Sequence, residues 1–199
     1  MAKNLVTLEE FKIYKSISST EQDELLTALI KRVSSFVKNF CKRTFIDYST
    51  INKVEYFDAV DVDEVFLSEL PIISVTSVEV SNDGGATYEA PLTDYVDYFI
   101  DSDLGRIIAS TYFTITGSSS VLAGKSKRSL RVTYKGGYVA LPDDLKQATL
   151  DLVEYYRANE YTPRQNFGQF QTENLGFRSG SSSNLPSHIL RVLSLYREL

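Results

Sequence analysis

The chain has very few of the residues that build covalent cross-links and metal sites. Its 199 residues include one cysteine, one histidine and no tryptophan. The single Cys41 excludes an intrachain disulfide and any multi-thiolate metal site. The single His188 excludes a histidine-pair zinc site and leaves a histidine-dependent catalytic triad only one possible base. We therefore expect no metal and no cofactor.

Long hydrophobic runs and an excess of positive charge are also missing. No window approaches the roughly 18 uninterrupted apolar residues of a membrane helix, and Glu9 and Glu10 come too early for a secretory signal. The formal charge of −5 argues against a general nucleic-acid-binding surface, which needs clustered lysine and arginine. We expect a protein of a cytoplasm-like compartment with no membrane partner.

The composition is that of a globular protein, with 43% hydrophobic and 24% charged residues. Helical signals precede and follow a strand-rich middle. Thr7 and Glu10 form a capping box, which predicts the first helix. Apolar residues at three- and four-residue steps, with Phe36 in the stripe, predict a long second helix, and Pro142 begins a third. The predicted helices cover residues 7–15, 20–43 and 141–161.

Between the second and third helices the pattern changes to that of strands. Residues 54–138 contain short alternating and β-branched segments, and residues 82–85 form a strong turn. Because the apolar stripes of the two longer helices each need a partner, we expect these helices to pack on each other. The predicted fold class is α+β, a small helical bundle with an inserted β-rich subdomain. Residues 1–161 form this body, and 162–199 form a flexible arm that ends in a helix.

The C-terminal arm combines a polar tether with apolar anchors. Residues 162–184 are rich in Gln, Asn, Gly and Ser, a composition that cannot bury enough apolar surface by itself. An apolar helix follows from about Pro186. We predict that the arm docks on another protein; the alternative is that its helix packs on helix 20–43 of the same chain. The candidate anchors are Phe167, Phe170, Phe177, Ile189, Leu190, Leu193 and Tyr196.

Two groups of acidic residues are candidates for a functional surface. Paired carboxylates hold Mg²⁺ or share acid and base roles in hydrolysis, whereas acids on loops and strand edges are usually solvated and discourage edge pairing. We prefer the second interpretation, because no basic or aromatic substrate groove accompanies these acids. The first group is Asp58, Asp61, Asp63 and Glu64, and the second is Asp94, Asp97, Asp101 and Asp103.

One basic group lies on a Ser- and Gly-rich loop and the strand that follows it. Such a group contacts a DNA backbone or an acidic partner, or it is only a solvated loop tip. Its members are Lys125, Lys127, Arg128 and Arg131.

Several segments, taken in order, resemble the tailed-bacteriophage head–tail connector family, whose members are also known as adaptor or head-completion proteins. Each segment is mainly structural, and the order of the segments is what makes the resemblance specific. It covers roughly residues 5–160, whereas the arm after Thr162 departs from the family pattern. The segments are 5–12, 23–30, 40–45, 70–78, 98–107, 132–138 and 141–148.

The resemblance implies a structural role without enzymatic activity. Members of the family form a ring, typically of twelve copies, beneath the portal of a filled capsid, where they extend the DNA channel and offer a platform for a stopper or the tail. The implied partners are the portal protein, a stopper or tail-completion protein, other copies of the chain, and genomic DNA that passes without sequence-specific binding. The implied location is the virion neck, with assembly in the host bacterial cytoplasm. The arm is then the segment that grips the portal.

Two other functions stay open at this stage. The chain could be a different neck or tail-completion protein, such as a stopper or tail terminator, because these share its size and composition. It could also be a metal-dependent hydrolase, a nuclease or a glycan hydrolase, that uses the aspartate clusters; alanine at Asp97 and Asp101 would then abolish the activity without unfolding the chain.

For the connector we expect a channel lining that is acidic or neutral and drawn from one of the acidic groups, because a basic lining would hold DNA phosphates. We also expect a mostly monomeric chain until the portal orders the ring.

Overall fold

A computed structural model of the chain describes residues 3–58, 62–113, 127–158 and 185–197. Four helices and six strands lie within these ranges, so the chain is α+β as predicted. The helices are α1 (Leu8–Lys15), α2 (Asp23–Cys41), α3 (Asp143–Tyr156) and α4 (Ser187–Leu195). The strands are β1 (Lys53–Phe57), β2 (Val62–Phe66), β3 (Ile72–Val80), β4 (Tyr98–Asp101), β5 (Arg106–Phe113) and β6 (Leu130–Gly136).

The chain divides into two compact units. The helical unit comprises Asn4–Lys42 and Leu141–Leu199 and contains the helices α1 to α4. The β unit comprises Met1–Lys3 and Arg43–Ala140 and contains the strands β1 to β6. The strands are thus inserted in the chain between α2 and α3. The predicted boundary between the body and the arm, at residues 161 and 162, lies outside the described residues.

The first helix begins with the predicted capping box. Thr7 Oγ1 accepts a hydrogen bond from the Glu10 amide at 3.2 Å, and Glu10 Oε2 accepts one from the Thr7 amide at 2.8 Å. Two amides that helix geometry would leave without a partner are satisfied in this way. Glu10 Oε1 also lies 2.8 Å from Lys146 Nζ, an ion pair that joins α1 to α3.

The helical unit is held together by the apolar faces of its longer helices. Helix α2 packs against α3, as predicted, and α4 packs against both. Full burial of a Leu, Ile or Val side chain contributes roughly 1.5–3 kcal/mol. The buried residues of these three helices include Leu26, Ile30, Val33, Val37, Leu145, Leu152, Val153, Ile189 and Leu193.

The second helix differs from its prediction at its start and on one flank. It begins at Asp23 rather than at residue 20, because residues 20–22 form a separate turn in which the Asp23 amide donates to the Thr20 carbonyl at 3.1 Å. Phe36 is half-buried rather than part of the core, and its ring stacks on that of Phe40 with centroids 6.1 Å apart. Apolar residues at three- and four-residue steps form a stripe that is wide enough for the residues at its edge to be partly exposed to solvent.

The β unit is a sandwich of two antiparallel sheets of three strands each. The first sheet has the order β1-β6-β3, and the second has the order β2-β5-β4. The inner faces of the two sheets share one hydrophobic core. This core includes Val78, Leu130, Val132 and Tyr134 from the first sheet and Val65, Tyr98, Ile107 and Phe113 from the second.

Each sheet also has an outer face that this core does not cover. Burial alternates along β6, where Leu130 and Val132 are buried and Arg131 and Thr133 are partly exposed. Side chains of a strand point alternately to the two sides of its sheet. Because the inner faces meet in one core, the two outer faces point away from each other.

Candidate functional site

The structure separates the members of the first acidic group. Asp58 follows β1 and accepts hydrogen bonds from Lys127 Nζ and from the Arg128 amide, each at 2.7 Å. The hydrogen bond from Lys127 is the main reason why the pKa of Asp58 lies below its ordinary value. The other members are Asp63 and Glu64, which belong to β2 in the second sheet, and Asp61, which lies outside the described residues.

The second acidic group shapes the turns on either side of β4. Asp97 Oδ2 accepts a hydrogen bond at 2.7 Å from the amide four residues before it. Asp101 Oδ1 accepts one at 3.1 Å from the Leu104 amide, which is the main reason why the pKa of Asp101 lies below its ordinary value. Asp94 and Asp103 are exposed.

Arg106 joins the two acidic groups on the outer face of the second sheet. Its Nη1 lies 2.7 Å from Glu64 Oε2, and its Nε lies 3.1 Å from Asp101 Oδ2. The hydrogen bond to Glu64 is the main cause of the raised pKa of Arg106. Because the partners belong to β2 and β4 and Arg106 belongs to β5 between them, this network spans all three strands.

Two of these acids do not have the pKa of a general acid. A general acid needs a carboxyl whose pKa is raised toward neutrality, whereas the pKa values of Asp58 and Asp101 are lowered. Among the residues that the structure describes, no three His, Cys, Asp or Glu side chains come together as a metal-binding group. Within the same four ranges, no helix has the length and apolar character needed to cross a membrane.

The outer face of the first sheet carries two stacks of arginine on tyrosine. The Arg128 guanidinium lies 3.9 Å from the centre of the Tyr56 ring, and that of Arg131 lies 4.0 Å from the centre of the Tyr88 ring. Arg131 also forms an ion pair with Glu79 on the neighbouring strand β3. Such stacking holds a guanidinium in one orientation. We call Val54, Tyr56, Tyr88, Arg128 and Arg131 the arginine face.

The outer face of the second sheet is aromatic. Phe66 of β2 is 57% exposed, and Phe99 of β4 is 43% exposed. The Tyr95 ring meets the Phe99 ring edge to face, with centroids 6.2 Å apart. Clustered apolar side chains of this size at a surface are typical of contact sites between proteins. We call Phe66, Tyr95, Phe99, Leu104 and Ile108 the aromatic face.

A buried carboxylate fixes the beginning of the β unit. Glu69 is only 1% exposed, and its oxygens accept hydrogen bonds from the amides of Thr44 at 2.9 Å and Phe45 at 3.2 Å. Lys53 Nζ, 3.4 Å away, supplies a compensating charge. The Tyr134 hydroxyl accepts a hydrogen bond from the Glu69 amide at 3.1 Å, and burial raises the pKa of Tyr134. This cluster lies inside the unit, so its role is structural.

Comparison with known proteins identifies the family. The family model for head completion proteins matches residues 4–199, nearly the whole chain. The chain belongs to the head completion protein family. The resemblance to the head–tail connector proteins of tailed bacteriophages is thereby confirmed, and the match also includes the arm, which the resemblance left out.

A solved structure has a similar fold. It is a chain in the neck of an empty GTA (gene transfer agent) particle, computed with C6 symmetry. The TM-score is 0.60 at 14% sequence identity, and the similarity covers 100% of this chain and 93% of that chain. Identity at this level shows the fold alone. No curated protein sequence gives a significant match.

The terminal helix of this head completion protein packs into its own helical unit. Ile189 and Leu193 of α4 are buried, and the Leu193 carbonyl accepts a hydrogen bond from Cys41 Sγ at 3.5 Å. The Tyr196 hydroxyl donates to Asp144 Oδ1 at 2.6 Å. The structure therefore shows the second of the two predicted placements of the terminal helix, packing on its own chain. The apolar side of α4 covers the apolar sides of α2 and α3.

This packing changes the set of docking anchors. Ile189 and Leu193 are not exposed, so they cannot serve as surface anchors while α4 stays in place. Leu190 and Tyr196 are partly exposed. The three aromatic candidates Phe167, Phe170 and Phe177 lie outside the described residues, and docking through them stays a prediction.

The members of the basic group have partners that the sequence did not indicate. Lys127 pairs with Asp58, and Arg128 and Arg131 lie on tyrosine rings; Lys125 lies outside the described residues. The sequence analysis also did not predict the two outer faces. Alternation along β1 and β2 could have indicated which residues lie on the outer side, but which side chains of different strands become neighbours depends on register.

Proposed function

We propose that this head completion protein is a head–tail adaptor. Twelve copies form a ring beneath the portal, extend the DNA channel and provide the platform on which a stopper or the tail docks. The observation that carries the proposal is the match of the head completion family model to residues 4–199. A fold similar to that of a neck chain over its whole length supports it.

The surface chemistry supports a structural rather than an enzymatic role. The conspicuous polar clusters, around Glu69 and Arg106, are hydrogen-bonded networks that join strands and loops. The conspicuous exposed features are the arginine face and the aromatic face, and their residue types are those enriched where proteins meet. We propose no catalytic residue, metal or cofactor for this protein.

The proposed place of action is the virion neck, after assembly in the host bacterial cytoplasm. The partners are the portal protein, a stopper or tail-completion protein, and neighbouring copies in the ring. Genomic DNA passes through the ring without sequence-specific contacts. This agrees with a formal charge of −5 and with a basic group whose described cations already contact Asp58, Tyr56, Tyr88 and Glu79.

The C-terminal region is the proposed portal contact. Because Ile189 and Leu193 are buried within the helical unit, the contact is assigned to Phe167, Phe170 and Phe177 and to the exposed side of α4, where Leu195 is 75% exposed. A shortened chain ending at residue 185 would also lose α4 and its core contacts. The sharper test is to replace the three phenylalanines by serine, which should abolish binding to portal-bearing capsids without changing the thermal unfolding midpoint.

The channel lining is the proposed role of the exposed acids. Asp58 pairs with Lys127, and Glu64 and Asp101 share the single positive charge of Arg106. The lining is therefore assigned to Asp63, Asp94 and Asp97, which are exposed.

Charge reversal tests the lining. Asp63→Lys with Asp94→Lys should slow DNA ejection from assembled particles, because lysines in the channel would bind phosphates. The matched control is Glu9→Lys with Glu21→Lys, which reverses two exposed charges of the helical unit. Equal ejection rates in both variants would contradict the assignment.

Removal of the gene tests the function itself. Particles made without the chain should have DNA-filled heads that carry no tails, and purified full-length chain should restore tail attachment. Tailed particles in the absence of the chain would contradict the proposal. The position of a label on the chain distinguishes the alternatives, since an adaptor lies directly against the portal whereas a stopper or tail terminator lies further down.

A further inference from the structure

We propose that neighbouring copies of the chain bind through the arginine face of one copy and the aromatic face of the next. This inference rests on the proposed ring and names the surfaces that build it. The occupant of each face is therefore a second copy of this chain.

The position of the two faces suits a ring. They are the outer faces of two sheets that share one core, so they lie on opposite sides of the β unit. A contact between two different surfaces of identical subunits leaves one free surface at each end of the pair. Further copies add in the same direction until the rotation closes the ring. A contact between two identical faces would stop at a dimer.

The aromatic face has the composition of an interface centre. Phe66 of β2 and Phe99 of β4 are both exposed on the outer side of the sheet, with β5 between them, and the Tyr95 ring lies against that of Phe99. In the turn between β4 and β5, Leu104 adds a further apolar side chain that is 58% exposed. Aromatic and aliphatic anchors of this kind contribute most of the binding energy when a partner removes them from water. Contact of these apolar side chains with water is unfavourable, and a second copy of the chain would remove them from it.

The charges of the two faces are complementary. Arg106 is the only lysine or arginine between residues 62 and 113, and Glu64 and Asp101 share its single charge. Asp103 is exposed in the turn after β4, so the aromatic face has an acidic rim. The segment 127–135 of the opposite side contains four cations, Lys127, Arg128, Arg131 and Lys135, and no acid. Asp58 and Glu79 pair with two of these cations, which leaves an excess of positive charge on this side. Complementary charges speed the encounter of two surfaces and disfavour contact between like faces.

The arginine face is also arranged before binding. Arg128 and Arg131 lie flat on Tyr56 and Tyr88, and the Tyr88 hydroxyl donates to the Arg128 carbonyl at 3.0 Å. Side chains that already hold one conformation lose less entropy when a partner binds. Planar guanidinium groups also stack well on aromatic rings, which are the main component of the opposing face.

Cross-linking between engineered cysteines tests the proposal. Val54→Cys places a thiol on the arginine face, and Leu104→Cys places one at the edge of the aromatic face; the native Cys41 is fully buried. The full chain with both substitutions is treated with a short bis-maleimide, once on portal-bearing capsids and once at high concentration without capsids. We expect a series of covalent dimers, trimers and longer products from the double variant and only monomer from each single variant.

Two results would overturn the inference. One is dimers from either single variant, because they would show identical faces in contact. The other is monomer from the double variant under both conditions. A series of products in solution from a chain that never joins capsids would contradict the adaptor function but not the inference. A chain that joins capsids without cross-linking would contradict the inference but not the function.

Charge reversal on the arginine face provides a second measurement. In the double-cysteine background, Arg128→Glu with Arg131→Glu should reduce cross-linked product at least tenfold, and Phe99→Lys should do the same from the other face. The control is Ile13→Glu, which changes an 80% exposed apolar residue of α1 outside both faces. Circular dichroism confirms that each variant is folded. Unchanged product from the folded Phe99→Lys chain would contradict the proposal.

Discussion

In the helical unit the apolar side of each longer helix lies against another helix, while in the β unit the described residues cover only one side of each sheet. Among the described residues, the large apolar side chains exposed in the helical unit are Ile13, Tyr14 and Leu195. The β unit exposes more of them, and those that form clusters lie on its outer faces. They include Val54, Tyr56, Phe66, Tyr95, Phe99, Leu104 and Tyr112.

The difference separates two uses of apolar surface. In the helical unit, burial within the chain stabilises the fold. In the β unit, the inner faces do the same, but the outer faces gain that free energy only when another protein covers them. Substitutions should therefore affect folding in one set of positions and assembly in the other.

The largest loss of stability is expected from a fully buried aromatic residue of the helical unit. Phe11→Ala should lower the free energy of unfolding by about 3–5 kcal/mol, because it leaves a cavity in the core. Phe36→Ala should cost clearly less, since Phe36 is half-buried. Urea unfolding of the two variants measures the difference. Equal losses would show that Phe36 belongs to the core after all.

The terminal helix provides a matched pair of residues. Leu193→Ala should destabilise the chain by about 2–5 kcal/mol, because Leu193 is fully buried between helices. Leu195→Ala, two residues away and 75% exposed, should change stability by less than about 0.5 kcal/mol. Chemical denaturation followed by circular dichroism gives both values. A negligible effect at Leu193 would show that α4 leaves the helical unit in solution.

The buried carboxylate of the β unit should matter through its hydrogen bonds. Glu69→Gln keeps one acceptor oxygen but places an amide NH₂ where the Thr44 and Phe45 amides donate. We expect a loss of about 1–3 kcal/mol, the usual effect of leaving a buried polar group without its partner. Glu89→Gln, at an exposed position of the same unit, is the control. Denaturant midpoints for both variants decide whether burial accounts for the effect.

A substitution on an outer face should leave folding almost unchanged and abolish assembly. Phe66→Thr keeps a residue that suits a strand, so the free energy of unfolding should change by about 0.5 kcal/mol or less. Incorporation of the variant into portal-bearing capsids, measured on gels of purified particles, should fall strongly. A variant that is destabilised yet assembles normally would show that Phe66 contributes to folding rather than to assembly.

The smallest effect on stability is expected from a lower pH. The pKa values of Asp58, Asp83 and Asp101 lie below the ordinary aspartate value of 3.8, that of Asp83 chiefly through the hydrogen bond from Thr87. At a pH near 3 the unfolded chain binds more protons at these sites than the folded chain, so stability is lost as the pH falls below about 4.

The size of this loss should depend on Asp83. Its carboxylate accepts hydrogen bonds from the Ala86 and Thr87 amides and from the Thr87 hydroxyl, and Asp83→Asn removes the charge that titrates. The variant should therefore lose less stability than the parent chain between neutral pH and about pH 3. Urea midpoints at the two pH values measure it, and an identical fall in both chains would exclude Asp83 as a source.

Much of the fold follows from local patterns in the sequence. The capping box at Thr7, the apolar stripe of α2 and the turn after β3 depend on residues close together in the chain. Their positions were therefore predictable to within a few residues. The resemblance added the family, because the order of structural segments is specific even where no single segment is.

The candidate surfaces depended on contacts between distant residues. Arg106 lies between Glu64 and Asp101 because strand register places the three side by side. Arg128 lies on Tyr56 and Arg131 on Tyr88, and each of these pairs joins a strand residue to a residue outside the strands. A shift of one residue would turn Arg106 or Arg131 to the other side of its sheet. No local pattern specifies that register.

Local patterns in the sequence specify which segments form helices and strands and in what order, and the single cysteine excludes an intrachain disulfide. The packing of α4 on its own helical unit, the division of the acids between two sheets, and the collection of arginines and aromatic residues on opposite outer faces appear only in the folded chain. The physical reason is that hydrogen bonding within a helix and alternation along a strand act over a few residues, whereas burial and ion pairing act between segments that the fold brings together.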